Sequence, residues 1–224
     1  MKDFKELKNI HKGKDIWCIA AGSSMDFIDP SFFEGKIVIG QNQVYKKYPC
    51  TYVVMKDLNE HPRFSRSVNE IKKLSIPLIY SQYHAGHYAA GKNKTDYENS
   101  YMFHHNDNRG GIKEALKVIG TDEMAVVRST ITSIMNIASY MGAKNIMVCG
   151  VDCGKINDNL YFKGYTEKDW TSGANWGSIE GWLEGTSDPN LTIRDTVKET
   201  YKCNIHSLNP FMNFKLDNNE FKPC

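Results

Sequence analysis

Residues 15–24 read DIWCIAAGSS, an apolar run of strand length that stops in a glycine and two serines. Ile, Trp and Cys suit a pleated strand buried on both faces, and the Gly-Ser-Ser stop marks a tight polar turn. Outward from this stretch the pattern returns. Lys36–Gly40 (KIVIG) runs into Gln41-Asn42-Gln43, Thr51–Met55 (TYVVM) into Lys56-Asp57, and Asn145–Cys149 (NIMVC) into Gly150-Val151-Asp152. Pro77–Tyr80 and Met124–Val127 read as a fourth and a fifth strand, and Cys203–Leu208 as the last. Helices are expected at Phe64–Leu74, Ile112–Val118, Ser133–Met141 and Ile193–Tyr201, with Gly142 as a C-cap. Unbroken apolar strands alternating with helices predict an α/β fold: a Rossmann-like, mostly parallel sheet with helices on both faces.

The composition agrees with this and narrows the function. Of 224 residues, 41% are hydrophobic and 24% charged, with a net charge of +2. That excludes whole-chain disorder and argues against an electrostatically driven nucleic-acid binder, leaving room only for a local basic face. Met1–Lys14 has no apolar core of a signal peptide, and no stretch has the ~20 apolar residues of a membrane span. The six scattered cysteines form no CxxC, so reduced thiols in a cytoplasmic protein are expected. The core is expected to cover residues 1–156, with a polar, His-rich insertion at 81–111. Residues 157–189, which carry Tyr161, Tyr165, Trp170, Trp176 and Trp182, read as a lid, and 190–224 return to complete the core.

In an open parallel sheet, ligands bind beyond the C-terminal strand ends, so the residues there are the candidates. Gly22 permits close backbone approach, and Ser23 and Ser24 offer hydroxyls to a phosphate; a plain strand-to-helix turn is the alternative. Asn42 and Gln43 carry both donor and acceptor for a base or ribose edge, or simply cap a turn. Lys56 and Asp57 face a substrate or form a surface ion pair. Ser129 and Thr130 precede the Ser133–Met141 helix, a natural phosphate site that competes with ordinary N-capping. Gly150 and Asp152 suit ribose hydroxyls or a metal, against a capping aspartate.

Metal signals are poor. The sequence has no DxD, and Cys149 and Cys153 are badly spaced for zinc. His84-x-x-His87 with His104-His105 form a weak zinc set whose alternative is hydrogen-bonded histidines. No metal ligand is assigned and no cofactor is required by any motif; Mg²⁺ enters only with one reading below. There is no GxSxG elbow.

The order strand–AxGxS, strand–xNQ, Arg-Ser-Thr before a small-residue helix, and then GAKNIMVCGVD at 142–152 resembles the bacterial family-42 sialyltransferases. It is also similar to the wider group containing motility-accessory glycosyltransferases and 6-hydroxymethylpterin diphosphokinase-like proteins, from about Ile16 to Asn213. The resemblance implies a Rossmann-like nucleotide-sugar domain with a lid, and inverting, metal-independent transfer from a CMP-activated sugar. By position, Gly22 and Ser23 would approach the donor phosphate and ribose, and Asn42 and Gln43 the nucleotide. Ser129 and Thr130 would face cytidine or phosphate, and Gly150 and Asp152 the ribose and base. Tyr161, one residue out of step, would be a lid tyrosine on the leaving phosphate.

The sequence departs from the family at four places. Gly154 stands where the lid has a second tyrosine, Lys56 where an Asn belongs, Trp182 where a tyrosine belongs, and Gly185 near the catalytic histidine. Glu184, with Glu180 beside it, is the nearest group able to serve as base. Glu184 and Tyr161 are therefore the catalytic candidates, and Trp182 joins the substrate-facing set. The expected activity is a glycosyltransferase taking a pyrimidine-linked sugar to a hydroxyl acceptor: a glycan, a protein or a hydroxylated nucleic-acid base. A pterin-type diphosphokinase using ATP and Mg²⁺, and a non-catalytic nucleotide-binding module, are the alternatives.

Overall fold

The computed structural model describes residues 1–58, 62–153, 155–165 and 179–208; of 62–65, 179–184, 186 and 187 it describes the backbone alone. Its strands are β1 (Asp15–Ile19), β2 (Ile37–Gln41), β3 (Tyr52–Met55), β4 (Leu78–Ser81), β5 (Ser100–Phe103), β6 (Asn145–Cys149) and β7 (Asn204–Ser207). They form one sheet in the order β5-β4-β3-β2-β1-β6-β7. Every neighbouring pair is parallel, with Ile16 opposite both Ile37 and Ile146 at the centre. The α-helices are α1 (Pro62–Lys73), α2 (Gly111–Val118), α3 (Thr130–Tyr140) and α4 (Ile179–Tyr201).

Alternate residues of each strand feed opposite faces. Ile16, Cys18, Ile39, Ile146 and Val148 pack towards α3, which is buried along its whole length beneath the sheet and against Ile193 and Val197 of α4. A helix enclosed on all sides is apolar all round, and its few polar residues must find partners. On the other face, Val53, Met55 and Leu78 meet Val68 and Ile71 of α1. Beside them Ile19, Val38 and Cys149 are covered by Met25, Phe33, Tyr48 and Phe162, residues of short turns rather than of an α-helix.

The polar residues of α3 explain one difference from the sequence reading. Met124–Val127 is not a sheet strand. Ala125 N–H donates to Asn136 Oδ1 (2.9 Å) and Ser133 Oγ to Ala125 O (2.9 Å), while Asn106 takes both backbone groups of Val126. Side chains therefore satisfy an extended segment that never joins the ladder. The fifth strand is Ser100–Phe103, inside the stretch 81–111 that reads as an insertion, and Lys2 N–H donates to Ser100 O along its edge. The last helix begins at Ile179, not Ile193, and carries Pro189 within it.

From β1 the chain steps outward to β5, then returns through α3 to β6 on the far side of β1. In an open parallel sheet such a reversal is where a ligand crevice is expected, here beyond the C-terminal ends of β1 and β6. Pairing continues past the strands there: Ala20 N–H donates to Cys149 O and Gly22 N–H to Gly150 O, both at 2.8 Å. Gly150 sits at φ +71°, and a Cβ on it would lie 2.5 Å from Ala20 O. Burial pushes the thiols of Cys50 and Cys149 up to about 12, which keeps them from acting as thiolates. No helix among the described residues is long and apolar enough to cross a membrane.

The close approach has a measurable cost if disturbed. Gly150→Ala should destabilise the chain by about 2 kcal/mol or more, combining left-handed backbone strain with a clash against backbone. Gly35→Ala, at φ +70° with nothing within 4 Å, should cost only the strain of about 1 kcal/mol. Urea unfolding of the two variants reads the difference; equal losses would show that the strands do not meet as closely as described.

Candidate functional site

Three groups of residues line the C-terminal edge of the sheet. The first closes around β1 and β6. A Cβ on Gly22 would lie 2.5 Å from both the Asp152 carboxylate and Gly150 O, so only glycine fits, although its φ of −61° is ordinary. Asp152 is 2% exposed and accepts from Ser24 N–H (2.7 Å) and from Ser24 Oγ. Burial raises its carboxyl above the usual range, and the serine bonds pull part of the way back. Ser23 Oγ donates to Asn159 O (2.8 Å), and Phe162 N–H to Ala21 O. Tyr161 thus bridges antiparallel to Gly22, drawing the start of the expected lid over the β1 turn.

The second group is the end of β2. Asn42 holds φ +49°, and both its Oδ1 and Gln41 Oε1 are buried without a hydrogen-bond partner. Buried acceptors in native proteins are nearly always satisfied, so these two mark where a polar ligand would be received. Gln43 is different: it is buried, and its Nε2 donates to Ser67 Oγ (3.2 Å) beneath the turn.

The third group is assembled on the backbone of Arg128, at φ +52°. Its N–H donates to Asn108 Oδ1 (3.0 Å), and its C=O accepts from Lys56 Nζ (3.0 Å). Ser129 caps α3 through Ile131 N–H, and Thr130 begins the helix, buried. Lys56 is 5% exposed; burial pulls its amine down to about 8, with Asp57 acting in the opposite direction. Asp57 Oδ1 accepts from Ala85 N–H (2.7 Å) and lies 4.0 Å from His84 Nδ1. Asn108 Nδ2 donates to Ala85 O (2.9 Å), joining the loop after β4 to the start of α3.

The structure therefore brings Gly22, Ser23, Ser24, Gly150, Asp152 and Tyr161 together at one end, and Lys56, Asp57, Ser129 and Thr130 at the other. Asn42 lies between. From β6 to β3 is three strand spacings, about 15 Å at ~4.8 Å each. Trp182 and Glu184 fall on α4 with side chains outside the described ones, as is Glu180; Gly154, Trp170 and Trp176 also lie outside the described residues. Gln41, Asn108 and Asn190 carry no site signal in the sequence, and His84 is named there only as part of the weak zinc set. Asn190, on α4, donates to Cys153 Sγ while its Oδ1 is buried without a partner. Positive φ at non-glycine residues occurs along this edge at Asn42, Ala85, Arg128 and Cys153, and at the opposite edge at Asn9, Ser75 and Lys202.

The histidines do not form the weak zinc set. His105 is buried and neutral, pulled to about 4 by burial, with Nε2 against Ser81 Oγ and Nδ1 against Asn106 O. His104 meets Gln82 Oε1. No cluster of three metal-ligating side chains occurs among the described residues. A surface depression of about 480 Å³ lined by Asp195, Lys198 and Asn204 lies at the start of β7, the opposite edge of the sheet.

No family model and no curated protein matches this chain. Solved structures do. The chain overlays on the monofunctional α-2,3-sialyltransferase Cst-I from Campylobacter jejuni with a TM-score of 0.54 and 16% identity, covering 94% of this chain and 83% of that one. The sialyltransferase CstII of the same organism, in complex with cytidine-5′-monophosphate, gives 0.54 and 13% over 90% and 82%. CST-II with a trisaccharide acceptor and CMP gives 0.54 and 12% over 89% and 83%. The likeness is one of fold, and it extends over nearly the whole chain. The diphosphokinase side of the sequence resemblance draws no support from these structures.

Lys56 provides a test of the site's energetics. An ammonium held at about 8 rather than 10.5 disfavours the folded state below pH 8. Between about 8 and 10.5 the folded chain sheds that proton before the unfolded chain does, and the penalty fades. Lys56→Met should accordingly stabilise the chain at pH 7 by ~1–3 kcal/mol, with the gain shrinking by pH 10. Thermal unfolding at the two pH values decides it; a destabilised variant at pH 7 would mean that the amine is better paired than its surroundings indicate.

Proposed function

We propose that the chain is a glycosyltransferase of the family-42 type, binding a CMP- or other pyrimidine-linked sugar along the crevice from β6 to β3. The observation that carries this reading is the switch-point crevice itself. Two glycine-lined backbones meet at its floor, unpartnered amide oxygens stand at the β2 turn, and a capped helix N-terminus with a buried lysine lies at its far side. The fold likeness to sialyltransferases crystallised with CMP supports it. In this reading Asp152 does not touch the ribose directly. It holds Ser24 and Gly22 in the shape that admits a nucleotide.

The transfer is a direct displacement. An acceptor hydroxyl, on a glycan or another hydroxylated molecule, bonds to the anomeric carbon as the bond to the donor phosphate breaks. The nucleotide leaves with the electron pair and needs donors for its developing charge. In this reading Thr130, the first amides of α3 and the Lys56 ammonium supply them, with Tyr161 contributing from the segment beside Gly22. The chain has no DxD, so the reading assigns this work to protein groups rather than to a bound metal. Six scattered cysteines with no CxxC suit a cytoplasmic location.

Calorimetry with CMP, UDP and ATP tests the proposal. A pyrimidine nucleotide should bind without Mg²⁺, and Asn42→Ala or Thr130→Ala should weaken it about tenfold or more, as loss of a hydrogen bond to a charged or buried group does. ATP preference with Mg²⁺ dependence would contradict it, and binding without any sugar transfer would leave a nucleotide-binding module.

A further inference from the structure

Transfer to a hydroxyl needs a base, and we infer that His84, oriented by Asp57, is that base. The inference rests on the transferase reading above. Glu184 and Glu180, the candidates read from the sequence, have side chains outside the described ones, so the base is sought among the described groups of the ligand-binding edge. His84 opens the loop after β4 on the ligand-binding edge of the sheet. It is 7% exposed, and its Nδ1 is buried with no hydrogen-bond partner, 4.0 Å from Asp57 Oδ1. That separation is within ion-pair distance. A base held in turn by a carboxylate is the recurring arrangement for activating a hydroxyl.

The surroundings fix this pair relative to the leaving group. Asp57 is anchored by Ala85 N–H at 2.7 Å, and Ala85 itself is held at φ +48°. Asn108 ties Ala85 O to Arg128 N–H, whose carbonyl accepts from Lys56. His84 is thus joined through two hydrogen bonds to the start of α3, where the donor phosphate is proposed to lie. Of the other histidines of this edge, His105 has both nitrogens engaged and His104 Nδ1 meets Gln82 Oε1; His87 Nδ1 lies 3.7 Å from Asp107, whose carboxylate is already held by Arg109 Nε and Nη2.

In the step, the lone pair on His84 Nε2 takes the acceptor O–H proton while that oxygen bonds to the anomeric carbon. The bond to the phosphate oxygen breaks, and the nucleotide carries away its electrons. Asp57 accepts the Nδ1–H bond and offsets the charge on the imidazolium, whose extra proton then passes to water. Neither an oxidant nor a metal is required.

Two measurements on the full chain test this. Nitrogen NMR should show His84 as the Nδ1–H tautomer, and Asp57→Asn should abolish that preference; an Nε2–H tautomer in the wild type would overturn the assignment. With a panel of CMP- and UDP-linked sugars and glycan acceptors as probes, His84→Gln should lower kcat by 10²- to 10⁴-fold while CMP affinity stays within twofold, and imidazole should partly restore His84→Ala. Transfer by His84→Gln within threefold of wild type overturns this inference alone. A wild type that binds CMP but transfers nothing overturns the transferase reading, and the base assignment falls with it.

Discussion

The contact of Gly22 with Gly150 and Asp152 is the constraint on which the site depends. Two parallel strands that continue pairing past their ends leave no space for a side chain at either glycine. With the backbones that close, Asp152 can reach back to Ser24, and the turn after β1 takes one shape. That shape sets the floor of the crevice, and the segment at 156–165 folds over it through Ser23 and Ala21. Widening this contact would release both the turn and the segment above it.

Much of this architecture is legible in the sequence because strand and turn chemistry are local. DIWCIAAGSS, KIVIG and NIMVC announce buried strands, and each is found in the sheet centre where both faces demand apolar residues. Met124–Val127 has the same composition but pairs with side chains of α3 and Asn106, a tertiary arrangement that no local pattern reveals. Ser100–Phe103 is the converse case: a short edge strand among polar residues, recruited by β4 rather than by its own propensity. The C-terminal helix starts at Ile179, inside the stretch whose aromatic composition reads as a lid, and carries Pro189 within it.

The candidate site divides in the same way. Strand-end positions could be named from the sequence, since an open parallel sheet concentrates them on one edge. Which of them face a ligand could not. Ser24 and Asp152 bond to each other, Gln43 turns under to Ser67, and Ser129 caps its own helix. The groups left facing the crevice are Asn42, the neighbouring Gln41 and the set around Arg128, where a lysine is buried against a carbonyl instead of forming a surface ion pair. Keeping that ammonium out of water and several residues at positive φ weakens the fold locally.

The central claim is that a nucleotide occupies the crevice between the ends of β6, β1 and β2. Amide chemical shifts followed during a titration with CMP locate it without knowledge of the sugar or the acceptor. The account predicts that the largest changes fall at Gly22–Ser24, Gln41–Asn42 and Gly150–Asp152, with none at Lys198–Asn204. Changes centred on the depression at the start of β7, with the strand-end residues silent, would contradict it.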